Sequence, residues 1–388
     1  MELLLGIIVG VIILVLLVVV HELGHGIVAR RNGVIVEEFG VGFPPKAWGK
    51  KVKQSFLGKN VLFTVNWLPL GGFVKLQGEN DAANKKGDYG AASYWVKTKI
   101  LLAGVGINWL VAAGILTVLA WTGLPKLPTI ENQFHIPSDT VIETKPVRIM
   151  GVVDGDPAQK AGFKIYDEVL KFDGKEVKST AQLIAMTSSP EYRGKTINIT
   201  YRRDGVETTK PVTLKNEEKA NFGAALNQQQ RMKATWSAPI VGIATTGQFT
   251  WLTLQGIGDL FANLGKGLWA QLSPDETTRK EGGKQLETVS ASVAGPIGIL
   301  GIIFPSATEA GLTELLFLTA IISLTLAVMN ALPIPALDGG RWFLMTLYRL
   351  RKKELTKETE EKIVGISFMV LMGLIVLVTI ADVGKFTQ

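Results

Sequence analysis

Four stretches of the chain carry almost no charged residue, and each is long enough to cross a bilayer. Leu3 to Val20 is a run of eighteen residues without a polar side chain, and comparable runs lie at Ile100–Leu124, Leu315–Leu332 and Ile363–Ala381. A helix rising 1.5 Å per residue needs about 20 such residues to span a hydrocarbon core of about 30 Å, so four transmembrane helices are predicted. Elsewhere the period changes. Val61, Phe63, Val65 and Trp67 alternate, with Pro69-Leu70-Gly71-Gly72 as a turn, so Asn60–Leu76 reads as a β-hairpin close to the membrane; the preceding Gly33–Lys59 is rich in Gly and Lys, and Glu79–Gly90 reads as a loop. Pro125–Pro146 reads as a proline-punctuated linker and Val147 to about Leu214 as an αβ module, with a strand at Thr196–Arg202 and a tight turn at Asp204-Gly205. Ser237–Leu272 is apolar but broken by glycines and polar residues, the pattern of an interfacial amphipathic helix, and Ser273–Glu287 reads as a charged linker.

The expected organisation follows: a polytopic α-helical membrane protein with spans within 1–28, 99–124, 313–340 and 363–382. Residues 29–98 form a loop carrying the β-hairpin, 125–146 a linker, 147–220 the αβ domain, 221–312 an amphipathic segment and linker, 341–362 a loop, and 383–388 a tail. The first run has no basic leader, exceeds the usual apolar core of a signal peptide and precedes no small-x-small cleavage site, so it is expected to stay as a membrane helix.

Charge sets the orientation. The net charge of +7 could point to nucleic acid, but its distribution argues for a bilayer and against such a partner. Arg30–Lys99 holds twelve Lys or Arg against five acids, Arg341–Lys362 holds seven basic residues, and the flanking ends hold almost none. The positive-inside rule then places both basic loops in the cytoplasm, and both termini and the long segment at about 125–312 outside. There is no cysteine, which excludes disulfides and thiolate metal sites.

Candidate chemistry sits at the end of the first run. Two of the three histidines form His21-Glu22-Leu23-Gly24-His25. Residues four apart share a helix face, so both imidazoles can reach one ion while Glu22 stands beside it to handle a water's proton. Ionisable groups at the end of an apolar span need partners, and a catalytic zinc generally has three protein ligands, so a third donor at matching depth is expected. Within the spans only Asp338 qualifies, in Asn330-Ala331-Leu332-Pro333-Ile334-Pro335-Ala336-Leu337-Asp338-Gly339-Gly340-Arg341. Spans one and three run in the same direction and carry these groups near the cytoplasmic side, and the two prolines break the helix where exposed backbone must be buried or line a wet cavity. A helix-ending turn capped by Asp338 is the alternative. His135, in the outer linker, reads as an exposed residue on the other side.

The HExxH in a first span, the Asn-x-x-Pro-x-Pro-x-Leu-Asp-Gly pattern in a third and a module between them resemble the site-2 protease family of intramembrane zinc metalloproteases, in its bacterial branch. The resemblance implies zinc held by His21, His25 and Asp338, with Glu22 as general base and Asn330 contacting substrate or the developing oxyanion. Gly104-x-x-x-Asn108 resembles the family's Gly-Pro-x-x-Asn motif with Val105 at the proline position; the other reading of Asn108 is an interhelical hydrogen bond. Gly71-Gly72-Phe73-Val74-Lys75 resembles the family's membrane-associated β element, whose edge would hold an unwound substrate strand, with Gly71, Gly72, Phe73 and Val74 as substrate-binding residues. Gly151–Ala158, Ala161-Gly162-Phe163 and Asp167–Lys175 resemble one PDZ domain of the bacterial protease type, with Tyr166 where that family usually has glycine. Ala294–Ile299 resembles a short family motif leading into span three.

The expected function is hydrolysis of a peptide bond in or beside a transmembrane segment, in the bacterial cytoplasmic membrane. Single-pass membrane proteins such as anti-sigma factors, or signal-peptide remnants, are the expected substrates, and three roles stay open for the PDZ-like module: binding a peptide ligand, filtering bulky substrates or scaffolding. Two other classes are a catalytically inert adaptor, against which the intact Glu22 argues, and a metal transporter, against which the clustering of ionisable groups at one depth argues.

Overall fold

The computed structural model describes residues 2–126, 138–217, 221–292 and 294–386; His135 lies outside them. The first helix, α1 (Glu2–Arg31), ends where the apolar run meets Arg30-Arg31. Gly33 at φ +84° lets the Val34 N–H donate back to the Ala29 carbonyl (3.0 Å) and its own N–H to Arg30 (3.1 Å), a Schellman stop. Two long strands follow, β1 (Val36–Ser55) and β2 (Gly58–Leu76), paired antiparallel. The β structure therefore starts at Val36, where the sequence reading had strands only from Asn60. The pattern of β1 hid it: residues 43–50 are nearly all exposed and rich in Lys, Gly and Pro, so no alternation shows. The register doubles back, with Val36–Val41 lying against Gly72–Leu76 and also beside Leu62–Val65, while Lys46–Ser55 lies against Gly58–Asn66. The Gly72–Leu76 segment is thus an outer strand of this layer. The α2 helix (Tyr94–Thr122) comes next.

The chain divides into two compact units, Ala120–Ala238 and the remainder. The first of these holds β3 (Leu124–Pro125), β4 (Val141–Thr144), β5 (Val147–Val152), α3 (Pro157–Lys160), β6 (Glu168–Phe172), β7 (Lys175–Glu176), α4 (Thr180–Ser188), β8 (Thr196–Arg203), β9 (Val206–Thr213), β10 (Ala224–Asn227) and β11 (Gln230–Lys233). An antiparallel sheet runs β10-β5-β6-β8-β9 with β7 on β6, and a second runs β3-β11-β4. Inward residues at alternate positions, Ile197, Ile199 and Tyr201 on β8 with Val147, Ile149, Val169 and Phe172, close a core around Leu183 and Phe163. The unit is larger than the 147–220 expected: β10 and β11 complete its sheets, and two parts of the 125–146 linker are strands.

In the other unit the chain continues through α5 (Ala238–Gln271), α6 (Glu276–Ser292), α7 (Pro296–Gly298), a π-helical turn (Ile299–Ile303), α8 (Phe304–Ala310), α9 (Leu312–Ala331), α10 (Asp338–Leu350) and α11 (Lys357–Phe386). Among the described residues four helices are long and apolar enough to cross a membrane, α1, α2, α9 and α11 over Lys357–Ile380. The Ser237–Leu272 segment is one continuous helix. It packs on two of the four, with the Trp109 indole N–H donating to Thr250 Oγ1 (3.1 Å) and Phe249 meeting Phe317 (centroids 5.8 Å apart). The expected charged linker at Ser273–Glu287 is mostly α6. Its Gly282 lets α6 approach α5 so closely that a Cβ there would lie 2.5 Å from the Ala270 side chain, which is why a glycine sits at this place in the helix. Ahead of α9, the α7–α8 segment packs on α1, with Phe304 and Pro305 filling the places that Cβ atoms at Gly10 and Gly6 would take. The 341–362 stretch, expected as a loop, is mostly helical: α10 runs to Leu350 and α11 starts at Lys357.

Candidate metal centre

On α1, a helical turn brings His21 and His25 to the same face, with Glu22 beside them. Asp338 arrives from a different kind of structure. The α9 helix stops at Ala331 because Pro333 and Pro335 cannot continue it, and Asp338 opens α10 after a six-residue break. The Leu-Asp-Gly motif therefore lies outside the spanning helix that the sequence reading extended to 340. The next two residues explain the tightness of the return. A Cβ at Gly339 would lie 2.2 Å from the Ala331 carbonyl oxygen, and one at Gly340 would lie 1.9 Å from that of Ile334, so only glycine fits at either place.

The three side chains converge. Asp338 Oδ2 lies 3.0 Å from His21 Nε2 and 3.2 Å from His25 Nε2, and the two Nε2 atoms are 3.2 Å apart. Ligands at about 2.0–2.1 Å from a tetrahedral zinc stand about 3.3 Å from one another, so these three donors have the spacing of three corners of such a site. Both histidines are buried, at 7% and 6% exposure. Among the described residues this is the only group of three or more His, Asp or Glu side chains able to hold a metal.

The α2 helix backs this triangle with three residues four apart. The His25 Nδ1 meets the Ile100 carbonyl oxygen at 2.7 Å, which fixes Nδ1 as the protonated nitrogen and leaves the Nε2 lone pair for the centre. Gly104 lies directly against the donors: a Cβ there would be 2.4 Å from His25 Nε2 and 2.6 Å from His21 Nε2. The space beside the two nitrogens exists because residue 104 has no side chain. Asn108, fully buried, places its amide 3.4 Å from His21 Nδ1, and its backbone carbonyl accepts from Ser323 of α9 (2.9 Å). The sequence signal for this backing was present in the Gly104-x-x-x-Asn108 spacing, which repeats the four-residue spacing of the histidines. One of the two readings of Asn108 was an interhelical hydrogen bond; its amide does face another helix, and the group it meets is an imidazole of the centre.

Glu22 is placed by the β layer. Its Oε2 accepts from the Val74 backbone N–H at 3.0 Å, so the carboxylate sits on the outer strand of that layer. Gly72 lies alongside, where a Cβ would come within 3.8 Å of Glu22 Cγ. A cavity of about 210 Å³ opens here, lined by Glu22, His25, Phe73, Val74, Asp338 and Arg341 among others. Phe73 and Val74 thus face the centre. Gly71, at φ +87° and packed under the Phe43 ring, serves the turn. Asn330 sits half-buried in the last turn of α9, outside the cavity lining.

The cavity's far wall is a charged network that motif reading did not find, because its members are scattered along the chain. Arg341 donates to Glu79 Oε1 (3.1 Å), to the Glu79 carbonyl (3.2 Å) and to Glu360 (3.3 Å), while Glu360 accepts from the Asp81 N–H (3.0 Å) and Asp81 pairs with Lys97. Tyr89, 4% exposed, packs under the Arg341 guanidinium, and burial pushes its phenol well above the ordinary range. These ties join the 77–93 loop to α10 and α11.

Known proteins resemble the chain over nearly all its length. A candidate zinc metalloprotease of Clostridium perfringens is 31% identical over 370 residues, covering 95% of each chain. Zinc metalloprotease RasP of Bacillus licheniformis is 25% identical over 455 aligned positions, covering 95% of this chain and 96% of that one. The regulator of sigma-W protease RasP of Bacillus subtilis is 24% identical over 461, covering 97% of each. The sequence model of peptidase family M50 matches residues 9–374, from the first spanning helix to the last, and the chain belongs to that family.

Proposed function

We propose that the protein is an intramembrane zinc endopeptidase that hydrolyses a peptide bond in or beside the transmembrane segment of a single-pass membrane protein. The observation that carries this reading is the triangle of His21, His25 and Asp338, with the Glu22 carboxylate beside it on an outer strand. The donor set, two neutral imidazoles and a carboxylate, suits zinc, and the names of the relatives agree. Zinc held there would supply Lewis acidity, polarising a carbonyl and acidifying a water.

The remaining chemistry falls to this chain's own side chains. Glu22 takes the water's proton on a carboxylate oxygen and passes it to the leaving amine. Burial of His21 and His25 keeps bulk solvent from the reacting bond, and the cavity admits water beside Phe73 and Val74. A helical substrate hides its carbonyls in its own hydrogen bonds, so it must unwind before attack. The strand Gly72–Leu76 offers backbone groups to such an unwound segment by β-augmentation. Gly71 would shape the turn that starts this strand. For Asn330 the resemblance alone argues a substrate contact.

Four spans with the zinc centre near the cytoplasmic side, and the termini and the Ala120–Ala238 unit outside, fit the charge distribution. That unit reads as PDZ-like, with the glycine turns at Gly155, Gly162 and Gly174 at positive φ that its motifs require, and it would bind a peptide or filter bulky substrates. Single-pass proteins such as anti-sigma factors are the substrate class we favour.

The test is cleavage of a tagged single-pass protein by the full-length enzyme in detergent. Wild type should cut and a chelator should stop it, while Glu22→Gln should fall to background with its zinc content unchanged. Cleavage by Glu22→Gln at the wild-type rate would remove Glu22 from the reaction and with it this reading.

A further inference from the structure

Each histidine of the centre has its other ring nitrogen met from α2, but by unlike groups. His25 Nδ1 faces the Ile100 carbonyl, an acceptor fixed by the helix backbone. His21 Nδ1 faces the Asn108 amide, with Nδ2 3.4 Å away, while Asn108 Oδ1 is buried with no partner among the described residues. An orphaned amide oxygen in a fully buried side chain is a costly arrangement, since the full desolvation of that oxygen goes uncompensated. The two ends of an amide have nearly the same shape, and half a turn of the terminal torsion exchanges them.

We propose that Asn108 is the positioning residue for His21: its Oδ1 accepts from His21 Nδ1–H and so holds the ring with its Nε2 lone pair aimed at the metal. This rests on the zinc reading given above. A ring that binds a cation through Nε2 must carry its proton on Nδ1, so Nδ1 needs an acceptor. The Asn108 oxygen supplies one, and the same turn relieves the orphan. The two imidazoles then receive matching support: an oxygen acceptor on each Nδ1, both from α2, two helical turns apart, with Gly104 midway giving the rings room. The Gly104-x-x-x-Asn108 spacing is explained as a whole, because the glycine admits the histidines and the asparagine orients one of them. Anchoring of the Asn108 backbone by the Ser323 hydroxyl (2.9 Å) fixes this part of α2 to α9.

Zinc retention tests this apart from catalysis. The full-length protein in detergent is loaded with one zinc and titrated with a chromogenic chelator, comparing wild type with Asn108→Leu, Asn108→Asp and His21→Ala. Loss of an outer hydrogen-bond partner typically weakens metal affinity by about 10–100-fold, which is the expectation for Asn108→Leu. Asn108→Asp keeps both the shape and an oxygen acceptor and should hold zinc close to the wild-type level, whereas Asn108→Leu keeps a similar branched shape without the acceptor, so the contrast between the two reads the hydrogen bond and not packing. Should the leucine variant not fold, Asn108→Ala, which only removes atoms, reads the same loss. Wild-type retention by a folded Asn108→Leu or Asn108→Ala overturns the proposal, as does an Asn108→Asp that is folded but as weak as the leucine variant. A different result marks failure of the zinc reading itself: wild type that holds no zinc, or His21→Ala that holds it as tightly.

Discussion

In the unit Ala120–Ala238 the main hydrophobic cluster takes its buried side chains from one part of the chain, between Val147 and Phe222. The centre of the other unit draws on residues 21–25, 72–74, 100–108 and 338, and it depends as much on side chains that are missing as on those present. An apolar core of the first kind absorbs changes of shape at modest cost, because neighbours relax and the hydrophobic term is non-directional. A centre of the second kind has no such latitude. Its donors are about 3 Å apart, and one added carbon at Gly104 falls among them.

The largest effect that follows is at that glycine. Gly104→Ala puts a Cβ 2.4 Å from His25 Nε2, so zinc content and cleavage should both drop to background. Gly106→Ala is its control on the same helix, since nothing lies within 4 Å of a Cβ there; it should keep zinc and even gain about 0.5–1 kcal/mol from helix propensity. Metal analysis of the two purified variants decides it. A zinc-replete Gly104→Ala would mean the centre tolerates a side chain, and the contrast between the two units would collapse.

Next in size is the core of the strand-rich unit. Phe172 is fully buried, and Phe172→Ala removes a ring from the middle of the sheet's inner face. Substitutions of this kind cost about 3–5 kcal/mol, depending on how far the cavity collapses. In the full-length protein, backbone hydrogen exchange over β5–β9 should speed up markedly while zinc content stays at the wild-type value. Loss of zinc in step with faster exchange would show that the two units are not energetically separable.

The same contrast explains what could be read in advance. His21, Glu22, His25 and Asp338 were legible because ionisable groups stand out in apolar helices and metal geometry restricts their spacing. Ile100 could not be found, since its contribution is a backbone carbonyl that any residue carries. Asn108 was visible as a motif, but a lone amide on a membrane helix has many possible partners. Strand β1 was missed because its outer half meets no core and so keeps no alternation. The α6 helix was missed because its charged residues read as a linker, and Gly282, which serves close helix approach, looks in sequence like a linker glycine. In the strand-rich unit the alternation of β8 and the Asp204-Gly205 turn were plain, since local periodicity and turn chemistry act over a few residues. Its boundaries were less so, because β10 and β11 join the sheets from outside the recognisable module.

The smallest effect concerns how that unit ties its ends together. The Asp139 carboxylate accepts from the Ser237 and Thr235 hydroxyls and from the Thr235 N–H (2.9 Å), which joins residue 139 to the segment entering α5. The Ser237 hydroxyl first, and then that of Thr235, hold the Asp139 carboxyl well below the usual carboxylate range. A carboxyl whose folded pKa is lowered stabilises the fold above its unfolded value, about 3.9, and loses that contribution as pH falls toward the folded value. Asp139→Asn should therefore weaken protection of the 139–144 and 231–237 backbones by a small, constant amount from about pH 8 to about pH 5, and the gap to wild type should close below about pH 4. Hydrogen exchange of both proteins, corrected for intrinsic rates across that range, measures the gap. One that widens on acidification would carry the wrong sign for a lowered carboxyl pKa, and the tie would then have to be assigned to the backbone pairing of β4 with β11 alone.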